Sequence, residues 1–550
     1  MPTVSEHVAR TLAQHIDHVF GIMGNGNAFF LDALERRTEA RYVAMRHEAG
    51  AVVAADAFFR ASGRIAAATA TYGAGFTNTL TALAESVQAS IPLVLVVGDE
   101  PTSGPRAWDV DQIALASAVG ARTYTVGHAD AAATAVIAIE HALTYRTPTV
   151  LAIPYDVARL EAGPVPATAG PRPRPVIAPT APFTAASVAA LVHDLAAAER
   201  PLLLAGRGAH RAEAGELLGE LADLTGAVTA TTALARSIFP RPEFDLGITG
   251  GFGAEGAMEL FHEADLVVVL GASLNQFTMR FGQLFSPASR VVQIDTAPSA
   301  THPHVGSFIR ADVAETAAAL VAQLRAIGAE PSGWRESLDI AALREREPGD
   351  ELAPDGRLDP RSAAIRIGEL LPEDRVVVSD GGHFIGWANM YWPVSAPERM
   401  MMVGTHYQSI GLGFPSIPGA AAALPDATVV LTTGDGGGLM ALADLESAVR
   451  TARGRGMAVV WTDNQYGAEV NVYGKLGVAE GPMLIPEVDF AGLAEPFGAE
   501  GVVVRTLEDL ERLRTWREED PDERRFLVLD LRVSGEIVAP YQEEILAMNR

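Results

Sequence analysis

The stretch "VVLTTGDGGGLMALADLESAVRTARGRGMAVVWTDNQYG" occupies residues 429–467. It opens on an apolar, β-branched run, breaks into Gly434, Asp435, Gly436, Gly437 and Gly438, continues as a helical pattern over 439–452, and closes on a second apolar run that ends in Asp463 and Asn464. The spacing predicts a strand, a glycine turn, a helix and a return strand, which brings Asn464 to the end of a strand neighbouring Asp435. A glycine-rich turn from strand to helix aims backbone N–H groups and the positive helix end at an anion, typically a phosphate. One carboxylate, one amide oxygen and a nearby backbone carbonyl make a hard-oxygen donor set. Two diphosphate oxygens and a water would complete the octahedron that Mg²⁺ demands. The plainer alternative has Asp435 capping the helix and Asn464 making a turn.

The same texture runs outward in both directions. "IPLVLVVGD", "PTVLAIP", "RPLLLAG", "ADLVVVLGAS", "RVVQID" and "RVVVSD" are short, apolar throughout and end near Gly, Pro, Asp or Ser. Strands of that kind are buried on both faces, so the expected fold class is α/β, with three doubly wound parallel-sheet domains. A Pro-rich segment, 161–182, and a charged Gly/Pro-rich one, 328–360, are expected as linkers, dividing the chain into domains at 1–160, 183–327 and 361–550. At 550 residues the chain is too long for one core. A formal net charge of -26 disfavours nucleic acid or an anionic membrane as partner. With no cysteine there is no thiolate metal site and no cysteine nucleophile. The first residues lack a basic segment followed by a long apolar one, and the expected location is cytoplasmic.

Gly434, Asp435, Gly436 and Asn464 match the GDG…N motif of the thiamine diphosphate (ThDP)-dependent 2-oxo acid decarboxylases and carboligases, and the chain resembles that family, with acetolactate synthase-like members nearest in texture. The resemblance implies a Mg²⁺ held by Asp435, Asn464 and the peptide carbonyl of Tyr466, with Gly437 completing the turn. "VSDGGHFIGW" resembles the segment that approaches the diphosphate, which implies that Gly382 and His383 lie near the phosphates. "THYQSIGLGFPSIPGAAAALPD" resembles the stretch whose bulky apolar residue wedges ThDP into a V shape; Ile410 takes that place, and backbone around Gln408 meets the pyrimidine. Far upstream, "YVAMRHEAGAVVAADAFFRASG" resembles the pyrimidine-binding domain, with Glu48 as the glutamate that hydrogen-bonds the aminopyrimidine and controls its tautomer. The apolar neighbours of Glu48 suit a carboxyl with a raised pKa.

Further implications concern the reaction. The family expels CO₂ from a 2-oxo acid and either protonates the remainder to an aldehyde or adds it to a second carbonyl. Met23 and Gly24 precede Asn25 at a position variable among relatives, and the aspartate and paired histidine of simple pyruvate decarboxylases do not appear. "GPRAWDVDQIALA" offers Trp108 and Asp109 to the substrate, with Gln112 behind them. Glu469 falls, allowing a one-residue gap, where some decarboxylases keep a proton-donating glutamate, and His406 beside the wedge is a further candidate for substrate contact. No FAD is expected, because "SLNQFTMRFG" replaces the usual flavin-associated sequence after "VVVLGA". The family places Glu48 and the metal-diphosphate site on different subunits, which implies a homodimer or homotetramer with sites at the dimer interface. Three alternatives stand beside this reading: a lyase acting on an acyloin or an acyl-CoA, a NAD-binding dehydrogenase, and a non-catalytic scaffold that keeps ThDP for structure.

Overall fold

The structure, a computed structural model, describes residues 1–174 and 182–543, with the side chains of 182–184 outside the description. The expected linker at 161–182 therefore lies partly outside the described residues. Among the described residues the named strands form three six-stranded sheets, and every pairing between them is parallel.

The first sheet holds β1 (His18–Gly21), β2 (Arg41–Ala44), β3 (Ala67–Ala70), β4 (Val94–Asp99), β5 (Arg122–Thr125) and β6 (Thr149–Pro154) in the order 2-1-3-4-6-5. The middle sheet holds β7 (Pro201–Ala205), β8 (Val228–Thr231), β9 (Asp245–Ile248), β10 (Leu266–Leu270), β11 (Arg290–Asp295) and β12 (Ser307–Arg310) in the order 12-11-10-7-8-9. The third holds β13 (Val376–Ser379), β14 (Met400–Met402), β15 (Val429–Gly434), β16 (Gly456–Thr462), β17 (Glu500–Val504) and β18 (Leu527–Arg532) in the order 14-13-15-16-18-17. Counted from its own first strand, the third sheet repeats the order of the first, whereas the middle sheet follows the dinucleotide-fold order 3-2-1-4-5-6.

The apolar runs supply the central strands for the reason given by their composition. Leu266–Leu270 and Val429–Gly434 are buried at every position, which only helices on both faces of a sheet can achieve. Helix Glu48–Ser62 of the first domain packs on helix Gly413–Ala423 of the third. They approach so closely that a methyl group at Gly419 would overlap the Ala54 carbonyl, and one at Gly50 would overlap the Asp444 carboxylate. One apolar core, including Phe58, Phe76, Phe414 and Phe490, runs through both domains.

The charged stretch at 328–360 is packed down. Trp334 and Ile340 are buried against the middle sheet's core, Arg335 lies 4.2 Å from the Phe244 ring, and Arg346 donates to the carbonyls of Phe252 and Gly253. Among the described residues, no helix is long and apolar enough to cross a membrane.

Candidate active site

In an open parallel sheet, the crevice for a ligand opens beyond the carboxyl ends of the strands where the strand order reverses. In the third sheet that reversal lies between β13 and β15, so the segments to inspect are 380–384 and 434–438. A cavity of about 320 Å³ opens there, lined by Gly381, Gly382 and His383 from the first segment, Gly434 to Gly437 from the second, and Asp463, Tyr466 and Glu469 from the end of β16. Gln408 and Ile410 form another part of its wall.

Asp435 starts the short helix Asp435–Met440 and is 2 % exposed. Its Oδ1 accepts from the Gly436 N–H at 2.8 Å and its Oδ2 from the Asn464 N–H at 2.8 Å. Burial pushes its carboxyl up to about 6, against the pull of those N–H groups. Asp463 is pushed up to about 7 by burial and by the Asp435 carboxylate beside it. Asn464 sits at φ +63°, and its buried side-chain Oδ1 has no hydrogen-bond partner. Two crowded carboxylates and an unpartnered amide oxygen make a hard-oxygen donor set that suits a divalent cation. The glycines make the floor: a methyl group at Gly436 would lie 2.6 Å from the Tyr466 ring, and one at Gly437 2.9 Å from Asp380 Oδ2. His383 is buried with Nε2 unpartnered, and burial together with Lys475 brings it down to about 4, so a neutral imidazole lines the cavity.

The loop carrying Ile410 is tied to the strands by Asp380, which is 1 % exposed. Asp380 Oδ1 accepts from the N–H groups of Gly381 (2.8 Å) and Leu412 (3.2 Å), and Oδ2 from the Gly411 N–H (3.2 Å) and the Thr433 hydroxyl (3.0 Å). Gly404, Gln408 and Gly411 all take positive φ, so the loop turns sharply at both ends.

Glu48, Asn25, Trp108 and Asp109 lie elsewhere, at the carboxyl ends of the first sheet, and none of them lines this cavity within one chain. Glu48 opens its helix, and its Oε2 accepts from Asn78 Nδ2 at 3.0 Å. Asn25 Nδ2 donates to the Tyr72 hydroxyl at 2.8 Å. Both Asp109 oxygens are taken by Arg106 at 2.8 Å, and Arg106 in turn lies 4.1 Å from the Tyr72 ring, 4.8 Å from that of Tyr155 and 5.5 Å from that of Trp108. Trp108 is 62 % exposed, and Asp109 therefore acts as a brace for the platform that Trp108 belongs to. Gln112 is buried, accepting from the Gly73 N–H and donating to the Gly98 carbonyl. The His406 ring lies between the other two domains: Nε2 accepts from Arg207 at 3.3 Å, and Nδ1, which makes no hydrogen bond, stands 3.5 Å from Glu85 Oε1. Asp380, Asp463 and Glu85 were not picked out by the sequence reading. Asp380 and Asp463 do have a signal, an acidic residue directly after an apolar strand; Glu85 has none.

A second, larger cavity of about 1780 Å³ opens at the reversal of the middle sheet, between β7 and β10. Arg146, Arg207, Arg211 and Arg310 all line it, so arginines far apart in sequence converge there. Ile385, Thr405 and Gln408 line both cavities and form the border between them.

Three parallel sheets with a cation-seeking, glycine-floored cavity at a strand-order reversal define a cofactor-dependent α/β enzyme. Comparison with known proteins names the family. Residues 2–115 match "Thiamine pyrophosphate enzyme, N-terminal TPP binding domain", 188–320 the central domain and 380–530 the C-terminal TPP binding domain of the same family. The chain belongs to the thiamine pyrophosphate (ThDP) enzyme family. It is 28% identical to an acetolactate synthase of Mycobacterium avium over 92% of this chain and 84% of the relative. It is also 28% identical to a sulfoacetaldehyde acetyltransferase of Castellaniella defragrans, over 99% and 95% respectively. The fold matches that of the ThDP-dependent 4-hydroxybenzoylformate decarboxylase of Rhodococcus jostii RHA1 with a TM-score of 0.79, at 21% identity, covering 97% of this chain and 99% of that one.

Proposed function

We propose that this chain is a Mg²⁺- and ThDP-dependent enzyme that breaks or forms a C–C bond next to a carbonyl, by decarboxylating a 2-oxo acid with or without joining the product to a second carbonyl compound. The observation that carries the reading is the orphaned Asn464 Oδ1 beside Asp435 at the β13/β15 reversal. Asp435, Asn464 and the Tyr466 carbonyl would hold the metal, and Gly382, His383 and the Gly434–Gly437 turn would hold the diphosphate. Among the described residues no three His or acidic side chains gather to hold a metal by themselves, which suits an ion completed by phosphate oxygens. When bound, ThDP would supply the nucleophile and electron sink for chemistry at the carbonyl carbon.

The protein's own part is binding, orientation and proton transfer. Ile410 would support the middle of the bound cofactor, and backbone near Gln408 would meet its pyrimidine. Glu48 donates to the pyrimidine and fixes its tautomer. Because Glu48 does not reach this cavity within one chain, a second copy contributes it, and the functional unit is a homodimer or a dimer of dimers with sites at the interface. Glu469, exposed at the cavity mouth on helix Gly467–Val472, gives or takes a proton at the departing or arriving carbonyl oxygen. Asn25 and Trp108 face the substrate from the partner's side, and a cytoplasmic location fits the reading.

A second reading has one observation in its favour: the arginines that converge on the larger cavity suit a phosphate-bearing substrate such as an acyl-CoA, which would make the enzyme a 2-hydroxyacyl-CoA lyase. Both are tested on cofactor-loaded protein by CO₂ release from a panel of straight, branched and aromatic 2-oxo acids, with product analysis for aldehyde against acyloin. CO₂ release supports the decarboxylase. No CO₂ from any of them, together with cleavage of a 2-hydroxyacyl-CoA, replaces it with the lyase.

A further inference from the structure

The loop that carries Gln408 and Ile410 is held by Asp380 at its far end, and at its near end by a junction of all three domains. At the centre of that junction is Glu85, on helix Leu80–Gln88 of the first domain, only 2 % exposed. Its Oε2 accepts from the Tyr407 N–H at 2.7 Å. Its Oε1 pairs with Arg60 at 3.2 Å and faces His406 Nδ1 at 3.5 Å. Arg60 is itself paired with Asp56, which accepts from Ser86 as well, and donates to the Met402 carbonyl at 2.9 Å. From the middle domain, Arg207 donates to His406 Nε2 and to the Ala89 carbonyl. The backbone at 402, the ring at 406 and the N–H at 407 are thus all fixed by side chains of other domains.

We propose that Glu85 is a positioning residue for the cofactor: it fixes the 402–407 backbone, and through it the placement of Gln408 and Ile410 in the cavity wall. A carboxylate this deep is costly without partners, and here burial alone would raise it, yet the His406 ring, Arg60 and the Tyr407 N–H hold it below its ordinary value. Glu85 is therefore charged, and a charged acceptor grips an N–H more tightly than a neutral one. Surface decoration would not need this arrangement: the three groups that meet Glu85 or Arg60 across the domain boundary, the Met402 carbonyl, the His406 ring and the Tyr407 N–H, all lie at the end of β14 or on the loop that follows it. The inference rests on the reading of the smaller cavity as the ThDP site.

The test uses full-length Glu85→Ala and Glu85→Gln, freed of cofactor by dialysis and compared with the wild type in two measurements. The first is amide hydrogen exchange. Glu85→Ala should speed exchange in peptides covering 402–411 while those covering β15 keep their protection. Glu85→Gln, whose amide oxygen still accepts from Tyr407, should fall between it and the wild type. The second is titration with ThDP and Mg²⁺ followed by the fluorescence of Trp387 and Trp461, both of which line the cavity. The dissociation constant should rise about 10- to 100-fold in Glu85→Ala and by less in Glu85→Gln. Unchanged exchange in 402–411, or equal loss of protection in that loop and in β15, overturns the positioning role. If loop exchange rises but ThDP affinity does not, the link from loop to cofactor is overturned. A wild type that shows no ThDP signal at all refutes the assignment of the cavity, a failure that the exchange measurement keeps separate from that of Glu85.

Discussion

Replacing Asp380 by Asn should stabilise the protein at neutral pH while weakening its hold on ThDP. The groups facing Asp380 are donors: the N–H groups of Gly381, Gly411, Leu412 and Gly413, and the Thr433 hydroxyl. In the variant the amide oxygen can keep Gly381 and Leu412, and Thr433 can turn its hydroxyl toward the Gly434 carbonyl 3.3 Å away and accept from the new NH₂. The Gly411 N–H is left facing a donor. Losing a hydrogen bond to a charged acceptor costs about 1.5–3 kcal/mol, or roughly 10- to 150-fold in cofactor affinity if the loop must hold its bound shape. The global effect has the opposite sign. Burial lifts the folded-state pKa of Asp380 to about 6, against an unfolded value near 3.8. As pH rises between those values the unfolded chain loses its proton first, so wild-type stability falls, by about 3 kcal/mol in all, and is level above pH 6. Asn has no such loss. At pH 4 the variant and the wild type, whose Asp380 is then protonated, should melt together, and at pH 7.5 the variant should melt higher. Calorimetry at the two pH values and the tryptophan titration with ThDP and Mg²⁺ check the two halves. A variant that melts lower at pH 7.5, or binds ThDP as tightly as the wild type, would refute the reasoning.

Three further outcomes follow from the site. Gly436→Ala sets a methyl group 2.6 Å from the Tyr466 ring; the ring must move and carry its carbonyl with it, so the Mg²⁺ concentration needed for half-maximal ThDP binding should rise by about tenfold or more. Glu48→Gln should leave ThDP binding within about threefold of wild type and lower turnover by about 10²- to 10⁴-fold; a scaffold that uses ThDP only for structure would have no turnover to lose. Asp109→Ala unbraces Arg106 and the Trp108 platform, so KM for the 2-oxo acid should change while ThDP affinity does not, which steady-state kinetics and the same titration separate.

Much of the framework is legible in the residues alone, because it depends on local chemistry. An apolar run with no polar alternation is a strand covered on both faces, and glycine before a helix is a turn; both statements need only neighbours in sequence, and the expected runs become β4, β6, β7, β10, β11, β13, β15 and β16. Asp435 and Asn464 come together for the same reason, being separated by one crossover. What sequence proximity could not reveal is which domain reaches into which. His406 reads as a substrate contact because it lies four residues from Ile410, yet its ring is claimed by Glu85 and Arg207, 321 and 199 positions away in the chain. Asp109 reads as free, yet Arg106 consumes both its oxygens. Arginines that look scattered over the chain converge on one crevice, since strand ends gather residues that their spacing cannot.

The shared strand order of the first and third sheets has a consequence for the history of the chain. The helices that lock these two domains together, Glu48–Ser62 and Gly413–Ala423, both follow the second strand of their own sheet, so each domain meets the other through the same part of itself. That is how two offspring of one duplicated module dock when they keep an ancestral pairing of like with like. The seam between them is no longer free. With Gly419 pressed on the Ala54 carbonyl and Gly50 on Asp444, a larger side chain on one side of the seam fits only if the other side gives up volume.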